Sequence, residues 1–294
     1  MVHRDVDRSV GVLHPGSMGA SVAAQAVAGG AEVRWLPRGR SAATRRRADG
    51  IGLRAAADLG ELVESCQVIL SVCPPAAALD VAREVARAGF RGVYVDANAV
   101  SPERMADIAE VLTAGGASVV DGGITGPPPR EAGTSRLYLS GDAPAVARVA
   151  GLFQATALAP FPLEGPIGRA SALKLSFASY NKIAYALAAQ ACALADGHGV
   201  LDELIDLAAG ALPGTPLAGL ERLAGAGRKA WRWEPEMGEI ARACAQVGLP
   251  TGFAEAAAET FGRWEAHKDD GTVTGARLIA DLRRTERPGE PGTA

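Results

Sequence analysis

Val10-Gly11-Val12-Leu13-His14-Pro15-Gly16-Ser17-Met18-Gly19 decides how the first half of this chain folds. An apolar run reaches Leu13, a turn with spaced glycines follows, and Ser17 opens a helix-forming stretch. A strand that turns directly into a helix is one arm of a βαβ unit. Gly16 lets the backbone approach a ligand, and Gly19 lets the helix pack on the strand. Free amides at such a helix start favour a phosphate. His14 stands where G-x-G-x-x-G has its first glycine. Two readings remain at this point: a pyrophosphate turn, or a tight turn without ligand.

Outward from this turn, short β-like runs alternate with helical stretches. Strands are expected at 10–13, 32–36, 68–72, 92–96 and 118–121, and helices at 17–28, 42–49, 76–88 and 102–114. A further strand at 136–140 is expected to be antiparallel near an edge. This alternation predicts an α/β Rossmann domain with a mostly parallel sheet. After Gly165 the pattern changes to a long helix at 170–194, without Pro or Gly. Helices broken at Pro213-Gly214, 225–227, 248–250 and Gly271 continue to about Arg284. The expected division is a cofactor domain at 1–163, an all-α C-terminal domain at 164–286, and a Pro/Gly-rich disordered tail at 287–294.

The 294 residues are enough for two cores, and 48% hydrophobic with 21% charged residues is ordinary for a globular protein. A net charge of −3 supplies no basic field for nucleic acid. Arg45, Arg46 and Arg47 read as a solvated helix face. Cys66, Cys73, Cys192 and Cys244 form no CxxC pair and have no metal spacing with histidine, so no metal is expected. All four lie in apolar runs and read as reduced, buried thiols. No apolar run reaches membrane length, and the first ten residues are too polar for a signal peptide. The expectation is a cytoplasmic protein without a membrane span.

The end of the second strand selects the cofactor. An acid there binds the ribose hydroxyls of NAD. Here the segment is Leu36-Pro37-Arg38-Gly39-Arg40-Ser41. Arg38 and Arg40 can pair with a 2′-phosphate and Ser41 can donate to it, which favours NADP (NADPH). The plainer alternative is two solvated arginines. The turn residues His14, Pro15, Gly16, Ser17, Met18 and Gly19 are expected to hold the cofactor. So are Val72, Cys73 and Pro74 at a later strand end. Asn98, two residues after Asp96, is expected at the nicotinamide ribose or the substrate.

Lys174 is unusual in its setting, with Leu173, Leu175 and Phe177 around it early in a helix whose dipole disfavours a cation. Burial would lower its pKa and let it exchange a proton with a carbonyl or alcohol oxygen. A lysine snorkelling from a surface helix is the alternative. Asn181 and Lys182 lie two turns on, Lys182 about 12 Å along the axis. Lys182 suits a substrate carboxylate or phosphate, or equally a solvated charge. The run Thr125-Gly126-Pro127-Pro128-Pro129-Arg130 must be a rigid loop, since three prolines lack backbone donors. Thr125 and Gly126 are candidate substrate contacts, and Arg130 meets an anion or lies on the surface. Trp231 and Trp233 line a pocket, a core or a subunit interface.

Taken together, these segments resemble the β-hydroxyacid dehydrogenase superfamily, which includes 6-phosphogluconate and 3-hydroxyisobutyrate dehydrogenases, with imine reductases as relatives. Gly16, Met18 and Gly19 match G-x-G-x-M-G, and Arg38 is retained from Asn-Arg-Thr. The family's Asp-x-Ser-Thr-x-Ser-Pro appears as Asp96-Ala97-Asn98-Ala99-Val100-Ser101-Pro102. Its substrate-site Asp-x-x-x-Ser-Gly-Gly appears as Asp121-Gly122-Gly123-Ile124-Thr125-Gly126-Pro127. Gly168 to Lys174 fits G-x-x-x-x-x-K, which implies Lys174 as general acid and base. Ala178 replaces the family's Asn four residues later, so the substrate contacts differ. The last third is most similar to 6-phosphogluconate-dehydrogenase-like proteins with their own C-terminal helical domain, on 229–233, Glu236-Met237 and 248–250. The resemblance implies an NADP-dependent oxidoreductase acting on a small carbonyl or hydroxy acid, and a homodimer. Its rivals are an imine (C=N) reductase and a non-catalytic NADP-binding sensor or scaffold.

Overall fold

Eight strands build one sheet in the order β3-β2-β1-β4-β5-β6-β7-β8. They are β1 (Ser9–Val12), β2 (Glu32–Trp35), β3 (Arg54–Ala55), β4 (Val68–Ser71), β5 (Val93–Asp96), β6 (Ser118–Thr125), β7 (Ser135–Gly141) and β8 (Leu158–Pro162). The computed structural model describes residues 8–284, and the expected tail at 287–294 lies outside them. Every neighbouring pair is parallel except β6 with β7. Val12 registers with Trp35 on one side and Leu70 on the other, so strand order reverses at β1. Ligands bind beyond the carboxyl ends at such a reversal.

Each strand face meets its own helix layer, as a period of two requires. Val10, Val12, Leu70, Val95 and Val120 join one core with residues of α1 (Ser17–Ala28) and α6 (Ala143–Phe153). Ile69, Tyr94 and Val119 join the other. That layer uses α3 (Leu59–Ser65), α4 (Ala78–Arg87) and α5 (Pro102–Ala114). Leu62, Ile69 and Leu112 are fully buried, each contributing roughly 1.5–3 kcal/mol. Side chains that accept first-turn amides start α2 (Ala42–Gly50), α3, α5 and α6: Ser41, Asp58, Ser101 and Asp142.

The expected strands and helices of the first half are present, α1 and α5 at their expected bounds and the others with shifted ends. The strand expected at 118–121 runs on to Thr125, and β7 pairs antiparallel along that extension. Four elements were not anticipated. The two-residue β3 is exposed throughout, α3 is short, and β8 carries Pro160 and Pro162. α6 follows a readable Asp142-Ala143-Pro144 start.

The long helix is α7 (Arg169–Gly197). The compact units are Met1–Leu175 and Ser176–Ala294, so its first turns belong with the sheet. The second unit continues with α8 (Leu201–Ala211), α9 (Leu220–Gly227), α10 (Ala230–Gln246), α11 (Gly252–Gly262) and α12 (Gly275–Leu282). Tyr185, Trp233, Phe261 and Trp264 form a chain of rings 5.4–5.9 Å apart. Trp264 donates its indole N–H to Leu278 O at 3.1 Å. Thus Trp233 is core, whereas Trp231 is half-buried under Lys268, whose amine lies 4.1 Å from its ring centre.

The start of α7 is held by side chains from the sheet. Asp121 Oδ2 on β6 accepts from Gly168 N and Ser171 N, both at 3.0 Å, and Oδ1 accepts from Ser171 Oγ at 2.6 Å. Ser140 Oγ donates to Asp121 Oδ2 and accepts from Ala170 N, each at 3.0 Å. Gly123 completes the contact: a Cβ there would lie 2.7 Å from Ala170 O and 3.3 Å from Lys174 Cβ. Asp121→Ala would leave several buried donors unpaired, at about 1–3 kcal/mol each. The expected result in urea denaturation is a loss of ~3 kcal/mol or more. An unchanged midpoint would show that α7 is anchored by other means.

Candidate active site

The turn after β1 closes on itself. Gly16 N donates to His14 O at 2.8 Å, and α1 begins with Ala20 N bonded to Gly16 O at 2.9 Å. A Cβ on Gly19 would lie 2.2 Å from His14 O, so only glycine allows this approach of helix to turn. A Cβ on Gly16 would meet nothing within 4 Å, so that side is open. No side chain caps α1 and no acid lies in its first turn. Its leading amides are therefore available to an anion.

The segment after β2 places Arg38 at the surface and turns Arg40 inward, half-buried. Arg40 N donates to Pro37 O at 3.2 Å, and Gly39 takes φ 72° in this turn. The Ser41 hydroxyl accepts from Thr44 N at 3.2 Å as the cap of α2. His14 Nδ1 and Arg40 Nε are buried without a hydrogen-bond partner. The His14 ring is pushed down to about 4, by burial first and then by the Arg40 charge. Orphaned nitrogens in this turn and in the segment after β2, together with an uncapped helix start, fit the phosphates of a dinucleotide.

Beyond β4, Val72 and Cys73 are half-buried and Pro74 is exposed. The expectation of four buried thiols holds for Cys66 and Cys192, while Cys73 and Cys244 are only half-buried at the ends of their elements. Burial, and next the Asp96 charge, push the Cys73 thiol up to about 12, so it stays protonated. Cys73 N donates to Asn98 Oδ1 at 2.5 Å. Asn98 Nδ2 donates to Asp96 Oδ2 at 2.8 Å and to Ser71 Oγ at 3.2 Å, and Asn98 N donates to Asp96 Oδ1 at 3.1 Å. Asn98 is buried and braces β4 against β5, with both amide hydrogens engaged.

Lys174 lies one turn into α7, half-buried, and its Nζ donates to Ala97 O at 3.4 Å. Burial holds the Asp96 carboxyl up at about 7, against the opposing bonds from Asn98; the Asp121 charge raises it and the Lys174 charge lowers it. The sequence-predicted residues thus form a continuous line within the first unit, from His14 through Arg40, Cys73 and Asn98 to Lys174. Thr125 ends β6 half-buried, while Gly126, with φ 99°, and Arg130 are exposed in the loop that follows.

Two candidates lie in the helical unit. Asn181 is exposed. The Lys182 amine pairs with Glu236 and lies 5.4 Å from the centre of the Trp233 ring. It is not a solvated charge: burial lowers its pKa, with the Glu236 carboxylate opposing. Sequence reading missed Glu236 as its partner, because Pro235 before it breaks the helical pattern that would have placed it. It also missed the anchoring role of Asp121. The signal was present in Ser171, three residues after Gly168 at a helix start.

The NAD binding domain of 6-phosphogluconate dehydrogenase matches residues 9–163, and a domain of unknown function, DUF1932, matches residues 195–264. An uncharacterized 28.5 kDa protein of Methanothermus fervidus is 28% identical over 177 residues, which is 60% of this chain and 66% of that relative. A conserved protein of unknown function, MTH1747, described as structurally similar to 3-hydroxyacid dehydrogenases, is 25% identical. The match covers 88% of this chain and 98% of that one, with a TM-score of 0.64. The 3-hydroxyisobutyrate dehydrogenase of Mycobacterium tuberculosis shares the fold at a TM-score of 0.73, with 19% identity over 94% of this chain and 99% of that one. The uncapped glycine turn at the strand reversal and the helical unit that follows fit these matches: the chain belongs to the family of the NAD binding domain of 6-phosphogluconate dehydrogenase, followed by a C-terminal helical DUF1932 domain.

Proposed function

We propose that the protein is an NADP-dependent oxidoreductase of the cytoplasm that moves hydride between the nicotinamide and a small carbonyl or hydroxy-acid substrate. The observation that carries this reading is the Lys174 amine, bonded to Ala97 O beside Asn98 at the carboxyl edge of the sheet. The dinucleotide, when bound, accepts or supplies the hydride. Gly16 and the first amides of α1 hold its pyrophosphate, and Arg38 and Arg40 hold a 2′-phosphate that an acid at this position would repel.

Lys174 then supplies the proton. In reduction its ammonium donates to the carbonyl oxygen as negative charge develops there; in oxidation its neutral amine removes the hydroxyl proton. Asp96 lies close enough to bias the charge on the amine, and the Ala97 carbonyl orients it. In this reading Thr125, at the end of β6, hydrogen-bonds substrate. C=O chemistry is the first reading and C=N reduction the second, since a lysine proton can serve either. NADPH oxidation measured against aldehydes, keto acids and cyclic imines tests the choice, and binding without turnover on any of them would favour a sensor.

A homodimer is also proposed. Phe177, Tyr180, Leu187 and Leu194 follow one another at intervals of three or seven residues along α7, and all are exposed, Tyr180 at 82%. This spacing makes a continuous apolar stripe of the kind one helix presents to another. Light scattering at micromolar concentration should give twice the chain mass; a monomeric mass would end this proposal.

Two substitutions separate cofactor from chemistry. Lys174→Ala is expected to reduce turnover by roughly 10²-fold or more while NADPH still binds; near-normal turnover would remove the lysine from the mechanism. Arg38→Ala is expected to weaken NADPH by about 10- to 100-fold, as for loss of a charged hydrogen bond of ~1.5–3 kcal/mol, and to leave NADH nearly unchanged. Equal losses for both coenzymes would refute the assignment to the 2′-phosphate.

A further inference from the structure

His14 has no counterpart in the glycine turn it interrupts. Its ring occupies the first glycine position, its Nδ1 is buried, and nothing among the described residues bonds it. Arg40, from the segment after β2, stands beside it with its own Nε buried and unbonded. A structural histidine would be expected to satisfy its ring nitrogen with a carbonyl or hydroxyl. Two cation-forming side chains with buried, unbonded nitrogens, the charge of one felt by the other, instead suit an anion.

We propose that His14 and Arg40 together seat a phosphate of the bound dinucleotide, and that seating it draws one proton onto the His14 ring. The inference rests on the dinucleotide site described above. The other ionisable groups around this pair are the Cys73 thiol at the end of β4 and Glu84 on α4, both acting on Arg40, with Asp96 on β5 acting on Cys73. α1 itself contributes no titratable side chain.

The sign follows from the two states. Without the dinucleotide, burial and Arg40 hold the ring down at about 4, so it is neutral near neutral pH. A phosphate against the ring favours the imidazolium and raises its pKa in the complex. The complex then holds more protons than the free protein over the window from about 4 up to the raised value. Affinity therefore strengthens as pH falls through that window, by a factor of ten for each unit of the rise once pH lies below it.

Titration calorimetry of the full chain with NADPH, in buffers of different ionisation enthalpy between pH 5 and pH 8, reads the proton directly. The 2′-phosphate of NADPH also titrates in this range, so the reading is the difference between proteins: the wild type is expected to take up about one proton more than a variant without the ring, and its advantage in affinity should grow as pH falls. In His14→Gln and in His14→Gly, which restores the glycine of the turn, the uptake assigned to the ring should be lost. NADH distinguishes the two phosphate sources: uptake that persists points to the pyrophosphate, and uptake that disappears points to the 2′-phosphate. The chain has 4 histidines, so ring resonances of the labelled wild-type protein provide a check that needs no variant. One of them should titrate higher on saturation. Proton exchange unchanged in both variants would overturn the role of His14 and leave the cofactor reading intact. No heat with either coenzyme would overturn both.

Discussion

A single buried carboxylate fixes the geometry on which the rest depends. Asp121 is fully buried, and its oxygens are filled by two backbone amides and a hydroxyl from the start of α7, together with the Ser140 hydroxyl. A charge in that position would be costly without such donors. The helix start supplies them along with the positive end of its dipole, so strand and helix satisfy each other. The bond also sets register. Lys174 lies three residues beyond Ser171, and Gly123 removes the side chain that would hold the helix away. The position of the amine is therefore decided on β6, while the Ala97 carbonyl it reaches follows the neighbouring strand β5.

The residues between cofactor turn and lysine do not act independently. Asn98 ties the end of β4 to the end of β5, and its amide is oriented by Asp96. Burial holds the Asp96 carboxyl up at about 7, and the Lys174 charge acts on it in the opposite direction. The amine lowers the carboxyl's pKa, while the buried Asp121 on the adjacent strand raises it. The charge of Asp96 thus depends on residues from β6 and α7 as well as its own strand, so changing either is felt at Asp96.

Much of the sheet could be read from the sequence, because its signals are local. Alternating apolar runs, Ser or Asp caps and the glycine turn each act within a few residues, and α5 begins and ends at the residues expected of it. β8 was lost because its prolines argue against a strand, and β3 because two residues carry no period. The site was legible as a set of strand ends: His14, Arg40, Cys73 and Asn98 were all expected near a ligand. Their mutual arrangement was not. Whether Asn98 faces a ligand or braces two strands depends on Ser71 and Asp96, and Ser71 is distant in sequence. Lys182 illustrates the same limit, since only tertiary contact supplies Glu236 and Trp233. The motif that marked Asp121 as part of a substrate site says nothing of its bonds to Gly168 and Ser171, because pairings across 47 or 50 residues leave no periodic trace.

The prolines of β8 also bear on how this protein behaves when crowded. β8 is the last strand of the sheet, and an outermost strand offers open backbone groups to any other extended chain. Pro160 and Pro162 remove amide donors from that border. At the opposite border, β3 is only two residues long. Neither side gives a neighbouring molecule a long ladder to extend, so sheet-to-sheet aggregation finds little template in the folded protein.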